Sequence, residues 1–146
     1  MALESMTRAL VGISLESLEP LTGKVSITQF RLLLALDHAG PLPSSQLAAR
    51  LGSLASSVTR LVDRLQADGF VRRGKDEGNR SIVTVQITPE GHKLVASVLR
   101  RRHRLLASTL RHMSEHDRES LVRGAAAFTA LSEHALELSP TSPLPL

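Results

Sequence analysis

The chain has 146 residues, the length of a single domain, so a two-domain enzyme with a separate cofactor lobe is not expected. Hydrophobic residues make up 42% of the sequence and charged residues 22%, which excludes a disordered chain and allows a packed core. Cysteine is absent, which excludes disulfides, thiolate metal sites and cysteine nucleophiles, and the net charge of +4 is compatible with an anionic partner.

The first third of the chain is predicted to form three helices. Over residues 2–18, apolar residues recur in steps of three to five, which predicts a helix with one buried stripe that Pro20 ends. A second, mostly buried helix follows, with Thr28 as its N-cap and Gly40 at its end. A third helix of about two turns ends at Gly52, because glycine favours the conformation that follows a helix.

The fourth predicted helix, Ser53–Asp68, has one apolar and one polar face. The apolar residues follow the spacing i, i+3, i+4, i+7: Val58, Leu61, Val62 and Leu65. The short connection to the third helix predicts that the two pack at an angle, as a helix-turn-helix pair. The other face presents small polar residues and arginines, which suit a groove: Ser56, Arg60, Asp63, Arg64 and Ala67, flanked by Ser57 and Thr59.

Two short β-prone segments come next, at residues 70–75 and 82–87. Alternation in the second segment predicts that Val83, Val85 and Ile87 share one face of a strand. The residues between the two segments favour a turn, so a hairpin is predicted. A hairpin directly after a helix-turn-helix pair is the order of elements in a winged helix.

Two helices are predicted to complete the chain. The first has Thr88 as its N-cap and Pro89 at its first position, and it runs to about His112. Ser114 caps the second, whose apolar residues include Leu121, Val122, Ala125, Phe128, Leu131 and Leu136. Residues 139–146 are expected to be a disordered tail.

Five segments follow one another in a specific order and spacing: Ile27–Phe30, Gln46–Gly52, Ser57–Leu65, Asp68–Arg73 and Val85–Gly91. Together they resemble the MarR family of bacterial transcription regulators, over residues 27–92. The resemblance implies a mainly α fold with a small β-hairpin wing, in which a winged helix-turn-helix domain adjoins a helical dimerisation region interlocked with a second copy. It implies that residues 27–88 bind DNA and that residues 1–26 and 89–138 form the dimerisation region.

The resemblance also implies which residues contact double-stranded DNA. Short serine and threonine side chains let the fourth helix approach the bases, and arginine contacts guanine or phosphate. The positions that the family pattern assigns are Ser56, Ser57, Thr59, Arg60 and Arg64 on the fourth helix, and Asn79 and Arg80 in the wing. Arg72 and Arg73, two further cations of this region, are included as candidates.

Two positions depart from the family pattern. The family has an Asp-x-Arg sequence in the wing, whereas this chain has Asn79–Ser81 and lacks the arginine at the third position. The family usually has serine at the start of the fourth helix, where this chain has Leu54. We therefore expect Ser53 to cap that helix.

The expected function is that of a DNA-binding transcriptional regulator, a repressor that binds a pseudo-palindromic operator as a homodimer. Its two recognition helices would lie about 34 Å apart, one turn of DNA. A small aromatic or anionic effector could release it by favouring one arrangement of the two DNA-binding domains. The alternative is a winged-helix protein-interaction module without sequence-specific DNA binding.

The most basic segment, Arg100–Arg104, allows three interpretations. Its arginines could be solvated or paired with acids such as Glu16, Glu19 or Asp37. They could instead line the cleft in which relatives bind small aromatic acids, or contact the DNA backbone. The candidate effector residues are Phe30, Arg31, His38, Arg101 and Arg104.

Other chemistry finds little support in the sequence. There is no nucleophile motif, phosphate-binding loop or carboxylate pair, so neither an enzyme nor a cofactor is expected. His112 and His116 have helical i, i+4 spacing, but Ser114 between them predicts a helix break, so no metal site is expected. Because no apolar run approaches the roughly 20 residues that span a bilayer and Met1–Ser5 does not resemble a signal peptide, we expect a cytoplasmic protein without a membrane partner.

Overall fold

A computed structural model describes residues 1–75, 78–79 and 81–137. The described residues form six helices and three strands: α1 (Ala2–Glu16), α2 (Ile27–Ala39), β1 (Leu42–Pro43), α3 (Ser44–Leu51), α4 (Ala55–Ala67), β2 (Val71–Lys75), β3 (Val83–Ile87), α5 (Pro89–Leu110) and α6 (Glu115–Glu137). The strands form one antiparallel sheet in the order β1-β3-β2. The predicted mainly helical fold with a small wing is confirmed. Within the described residues, no helix is both long enough and apolar enough to cross a membrane.

The hydrophobic core lies among α2, α3, α4, the sheet and the first half of α5. Its largest fully buried side chains include Phe30, Leu32, Leu33, Leu36, Leu47, Leu65, Val58, Val62, Val95 and Val98. Burying each such side chain stabilises the fold by about 1.5–3 kcal/mol. The core is therefore built from leucine and valine, and one side of α4 is fixed within it.

A capping box sets the start of α2. Ser26 Oγ accepts a hydrogen bond from the Gln29 N–H at 3.2 Å, and Gln29 Oε1 accepts one from the Ser26 N–H at 2.8 Å. The predicted cap, Thr28, lies inside the first turn and is therefore wrong, because the reciprocal pair forms one residue before the helix. The predicted end at Gly40 is confirmed, since Gly40 is the C-cap.

The start of α4 also differs from the prediction. The N-cap is Leu54, whose side chain makes no capping hydrogen bond. Ser53, the predicted cap, lies one residue too early, and its hydroxyl instead donates to the Leu51 carbonyl at 3.3 Å. The first turn of α4 thus begins without a side-chain cap.

The wing has a third strand that the sequence did not predict. β1 has only two residues, Leu42–Pro43, and it pairs with the edge of β3 opposite to β2. β3 is therefore central and contacts α2, α3 and α5, so that Thr84 and Val85 are both buried. β3 spans Val83–Ile87 without a break, so Val83, Val85 and Ile87 share one face as predicted, but Val83 at the start of the strand is 55% exposed.

The junction between β3 and α5 is closely packed. Thr88 Oγ1 accepts a hydrogen bond from the Gly91 N–H at 3.2 Å, which confirms Thr88 as the N-cap, and donates to the Gly69 carbonyl at 2.7 Å. The Thr88 N–H donates to the Phe70 carbonyl at 3.0 Å. At Gly91, a Cβ atom would collide with the same Phe70 carbonyl oxygen. These contacts fix the start of α5 against the segment that leads into β2.

The predicted buried stripe of α1 is wrong for the isolated chain. No residue of α1 is buried, and its large exposed residues are Leu3, Met6, Leu10, Val11 and Leu15. α6 likewise exposes Val122, Phe128 and Leu131. α1 ends at Glu16, and Pro20 lies inside a following 3₁₀ turn, Glu19–Leu21, where proline at an early position is tolerated. The two helices therefore present apolar surface that the described residues do not cover.

Candidate functional site

The outward face of α4 carries the candidate functional residues. Val58, Val62 and Leu65 anchor the opposite side of the helix in the core. The residues that remain exposed include Ser56, Ser57, Thr59, Arg60 and Arg64. The predicted orientation of α4 is thus confirmed, and it follows from the 3.6-residue period of the helix.

Arg60 and Arg64 are available to a partner. Neither guanidinium makes a hydrogen bond or an ion pair with any residue that the structure describes. The Thr59 hydroxyl, by contrast, donates to the Ala55 carbonyl at 3.0 Å, within the helix. The two arginines therefore give this face free cationic groups that can form hydrogen bonds in a fixed, planar geometry.

Arg73 on β2 is bound to α4. Its Nη2 lies 2.6 Å from Asp63 Oδ1, and its Nη1 donates to Gln66 Oε1 at 2.7 Å. Both partners lie on α4, so this pair of contacts holds the wing against the helix. The helical period predicts Asp63 on the outward face, but no sequence pattern identified Asp63 and Gln66 as partners of Arg73.

The other wing candidates lie around the hairpin. Arg72 Nε donates to Gln86 Oε1 at 3.1 Å, across the pair of strands β2 and β3. Asn79 is exposed, and its side-chain oxygen accepts a hydrogen bond from the Ser81 N–H at 3.1 Å. Arg80, the other predicted wing contact, lies outside the described residues.

Of the candidate effector residues, Arg101 lines a cavity of about 500 Å³, whose other lining residues include Leu18, Leu21 and Ile27. Arg101 lies 3.8 Å from a carboxylate oxygen of Glu16 and 3.7 Å from one of Glu19. Its Nε also donates to the Glu16 backbone carbonyl at 3.0 Å. The ion-paired interpretation of the basic segment is confirmed for Arg101.

The remaining effector candidates occupy different environments. Phe30 is 1% exposed and belongs to the core, so its ring packs against protein. Arg31 is half-buried, whereas His38 and Arg104 are exposed. Asp37, an expected partner of the basic segment, instead contacts His92, with 2.6 Å between Oδ1 and Nδ1.

The histidines near the end of α5 do not share a helix. α5 ends at Leu110 and α6 begins at Glu115, so the predicted break between His112 and His116 is confirmed. Ser114 caps α6 as predicted, because its Oγ accepts a hydrogen bond from the Asp117 N–H at 3.1 Å. In the part of the chain that the structure describes, no three histidine or acidic side chains lie close enough to hold a metal ion.

Comparisons with known proteins agree with this fold and surface. The model of the MarR family matches residues 25–83. The uncharacterized HTH-type transcriptional regulator YfiV of Bacillus subtilis is 30% identical over 76% of this chain and 69% of its own length. The transcriptional repressor MdtR of the same bacterium is 26% identical over 80% of this chain and 74% of its own length.

A solved structure extends the similarity to most of the fold. RV1404 from Mycobacterium tuberculosis superposes with a TM-score of 0.80 and 32% identity, covering 88% of both chains. The similarity therefore includes the helices on either side of the segment that the family model matches. This chain belongs to the MarR family of winged helix-turn-helix transcriptional regulators.

Proposed function

We propose that this protein represses transcription by binding a pseudo-palindromic DNA operator as a homodimer, in the bacterial cytoplasm. The observation that carries the proposal is the exposed face of α4, where Arg60 and Arg64 have no partner in the described chain. The similarity to MdtR, a transcriptional repressor, supports repression. Neither catalysis nor a cofactor is part of this function.

Recognition would place α4 in the major groove. Ser56, Ser57 and Thr59 are small enough to let the helix backbone approach the base edges. Arg60 and Arg64 can each form bidentate hydrogen bonds to guanine O6 and N7, or contact phosphate. The further candidates for DNA contact are Arg72, Arg73, Asn79 and Arg80, which would act on the backbone beside the groove.

The dimer would form through the helices that flank the DNA-binding domain. The exposed apolar residues of α1 and α6 support this assignment, because a second copy would remove them from water. The division is that of the family pattern, with residues 27–88 binding DNA and residues 1–26 and 89–138 forming the dimer. Two α4 helices about 34 Å apart would then meet successive turns of one face of the duplex.

A small-molecule effector is the second part of the proposal. A ligand changes operator affinity only if it binds the DNA-competent and DNA-incompetent arrangements with different affinities. Of the candidate residues, Arg101 lines the cavity that supports a site there, whereas Arg31, His38, Arg104 and the buried Phe30 do not line it. We expect at least one compound in a broad panel of small aromatic acids to lower operator affinity, and a panel without any effect contradicts this part.

Selection from a random duplex pool tests the DNA-binding function. The purified protein is mixed with the pool at two salt concentrations, and the retained duplexes are sequenced. We expect a two-fold-symmetric site at both concentrations, with weaker binding at high salt because phosphate contacts release counterions. Sequence-independent binding that disappears with salt would favour the winged-helix protein-interaction module instead.

A further inference from the structure

We propose that Leu54 contacts the 5-methyl group of a thymine in the operator and thereby sets a base preference at the start of α4. The inference rests on the proposed DNA binding and adds a specificity-determining residue to it. Three observations support it: the exposure of Leu54, the missing side-chain cap on α4, and the position of Leu54 at the N-terminus of that helix.

Leu54 is exposed in polar surroundings. Its exposed fraction is 76%, and among the large hydrophobic side chains that the structure describes only Met1 is more exposed. The comparably exposed Leu3 and Leu131 lie on α1 and α6, whose apolar faces accompany them. Leu54 instead lies between Ser53 and the exposed residues Ala55, Ser56 and Ser57, and no other large hydrophobic side chain of α4 is among the strongly exposed ones in the described part of the chain.

Local folding does not account for Leu54 either. A serine, threonine, asparagine or aspartate at an N-cap accepts a hydrogen bond from the first turn of the helix, whereas leucine cannot. α4 has no side-chain cap, since the Ser53 hydroxyl is directed to the Leu51 carbonyl. The Leu54 side chain thus neither caps the helix nor packs into the core, although its backbone carbonyl accepts hydrogen bonds from the Ser57 and Val58 N–H groups.

The position of Leu54 is the one from which a recognition helix meets base edges. The N-terminal residues of such helices enter the major groove first. Ser56 and Arg60, further along α4, are exposed as well. With a rise of 1.5 Å per residue, Leu54 precedes Arg60 by about 9 Å along the axis of α4, so the two side chains would contact different base pairs.

Thymine presents the matching chemistry. Its 5-methyl group is the apolar group that the major groove displays, and apolar side chains recognise it by contact. Removing one methyl group from water changes an equilibrium constant by a factor of about four. A homodimer makes this contact once in each half-site, so the two contacts together should raise the affinity for the operator about 15-fold.

Deoxyuridine substitution tests the contact without altering base pairing. In the selected operator, symmetric pairs of thymines are replaced by deoxyuridine, which lacks only the methyl group. Wild-type protein should lose about 15-fold in affinity at one symmetric pair of positions. That pair should differ from the position whose preference is relaxed in the Arg60→Ala variant.

Two variants of Leu54 complete the experiment. Leu54→Ala should bind the thymine and deoxyuridine operators equally. Leu54→Ser should do the same although it supplies an N-cap, so its loss of thymine preference is not caused by a frayed helix. If every deoxyuridine operator binds wild-type protein as well as the original, or if Leu54→Ala keeps the wild-type sensitivity, the Leu54 contact is wrong while operator binding stands. If no symmetric operator is selected at all, the proposed function fails as well.

Discussion

At the residue scale, the arginines around α4 fall into two groups. Arg72 and Arg73 are held by side chains of the protein, whereas Arg60 and Arg64 have no partner among the residues that the structure describes. A guanidinium without an internal partner can bond to a base or a phosphate without first breaking a contact in the protein. We therefore expect Arg60 and Arg64 to contribute most to operator affinity.

Replacing either free arginine should weaken operator binding. Arg60→Ala or Arg64→Ala is expected to cost about 1–3 kcal/mol of specific binding free energy and to relax the preference at one base position. Equilibrium binding to the selected operator and to random duplex measures both effects. Arg111→Ala, which removes the same charge from an exposed site at the end of α5, should change neither. Unchanged affinity in both α4 variants would contradict the assignment of this surface.

Arg73 should behave as a positioning residue. Arg73 and Asp63 form an ion pair with 2.6 Å between Nη2 and Oδ1. The Asp63 side chain is 57% exposed and that of Arg73 is 37% exposed, so solvent screens the interaction. Arg73→Ala and Asp63→Ala should each destabilise the fold by at most about 1 kcal/mol. Because they remove the same pair, the double variant should unfold in urea at the same concentration as the less stable single variant. Additive losses would show that the two residues act independently.

Sequence alone predicted which α4 residues face outward but not which of them pair with the wing. The orientation follows from the helical period, since Val58, Val62 and Leu65 must share the buried side. The contact between Arg73 and Asp63 depends on how β2 lies against α4. The distance between the Arg73 and Asp63 side chains is set by the packing of the whole domain, and no local pattern in the sequence encodes it.

At the scale of elements, the junction between β3 and α5 requires glycine. A Cβ at Gly91 would collide with the Phe70 carbonyl oxygen and lie 2.6 Å from Ile87 Cγ1. The carbonyl accepts the Thr88 N–H, so it cannot move without loss of that bond. Gly91→Ala should therefore destabilise the protein by about 2–3 kcal/mol, measured by urea unfolding.

A second helical glycine provides the control for this junction. At Gly12 in α1 nothing lies within 4 Å of an added Cβ. Gly12→Ala should leave stability unchanged or raise it by up to about 1 kcal/mol, because alanine loses less conformational entropy in a helix. Equal unfolding midpoints for Gly91→Ala and wild-type protein would show that the junction is not tightly packed.

Two helix starts followed from a capping residue with a local partner, whereas the equally local pair of Ser26 and Gln29 at the start of α2 was missed. Thr88 and Ser114 were predicted correctly because each bonds to an N–H three residues later. Two features needed tertiary information. β1 has two residues, one of them proline, and exists only because β3 offers a free edge to Leu42–Pro43. The start of α4 at Leu54 replaces a capping serine by an exposed apolar residue, against local preference.

At the scale of the whole molecule, the exposed apolar faces of α1 and α6 require a partner. The sequence predicted the apolar stripe of α1, but the core of the chain does not bury it. A cavity of about 500 Å³ between the two helices is lined by apolar residues such as Leu3, Met6 and Phe128. This surface is continuous across both helices, which is the pattern expected where a second copy packs.

An acidic substitution on this surface should break the dimer. Phe128 is 66% exposed on α6, and a carboxylate buried at that position in the dimer would lack a partner. Phe128→Glu should therefore sediment as a monomer and lose most of its operator affinity. Val83→Glu makes the same kind of change on β3, where the side chain is 55% exposed, and should leave the dimer intact. A dimeric Phe128→Glu protein would place the interface elsewhere.

One dimer is expected to bind two half-sites one helical turn apart. Inserting five base pairs at the centre of the selected operator rotates one half-site by about half a turn while leaving both sequences unchanged. We predict that wild-type protein binds this duplex no better than a duplex with a single half-site. If the extended operator instead binds with the affinity of the original, the two α4 helices do not act together. That result would contradict the binding of two half-sites by one dimer.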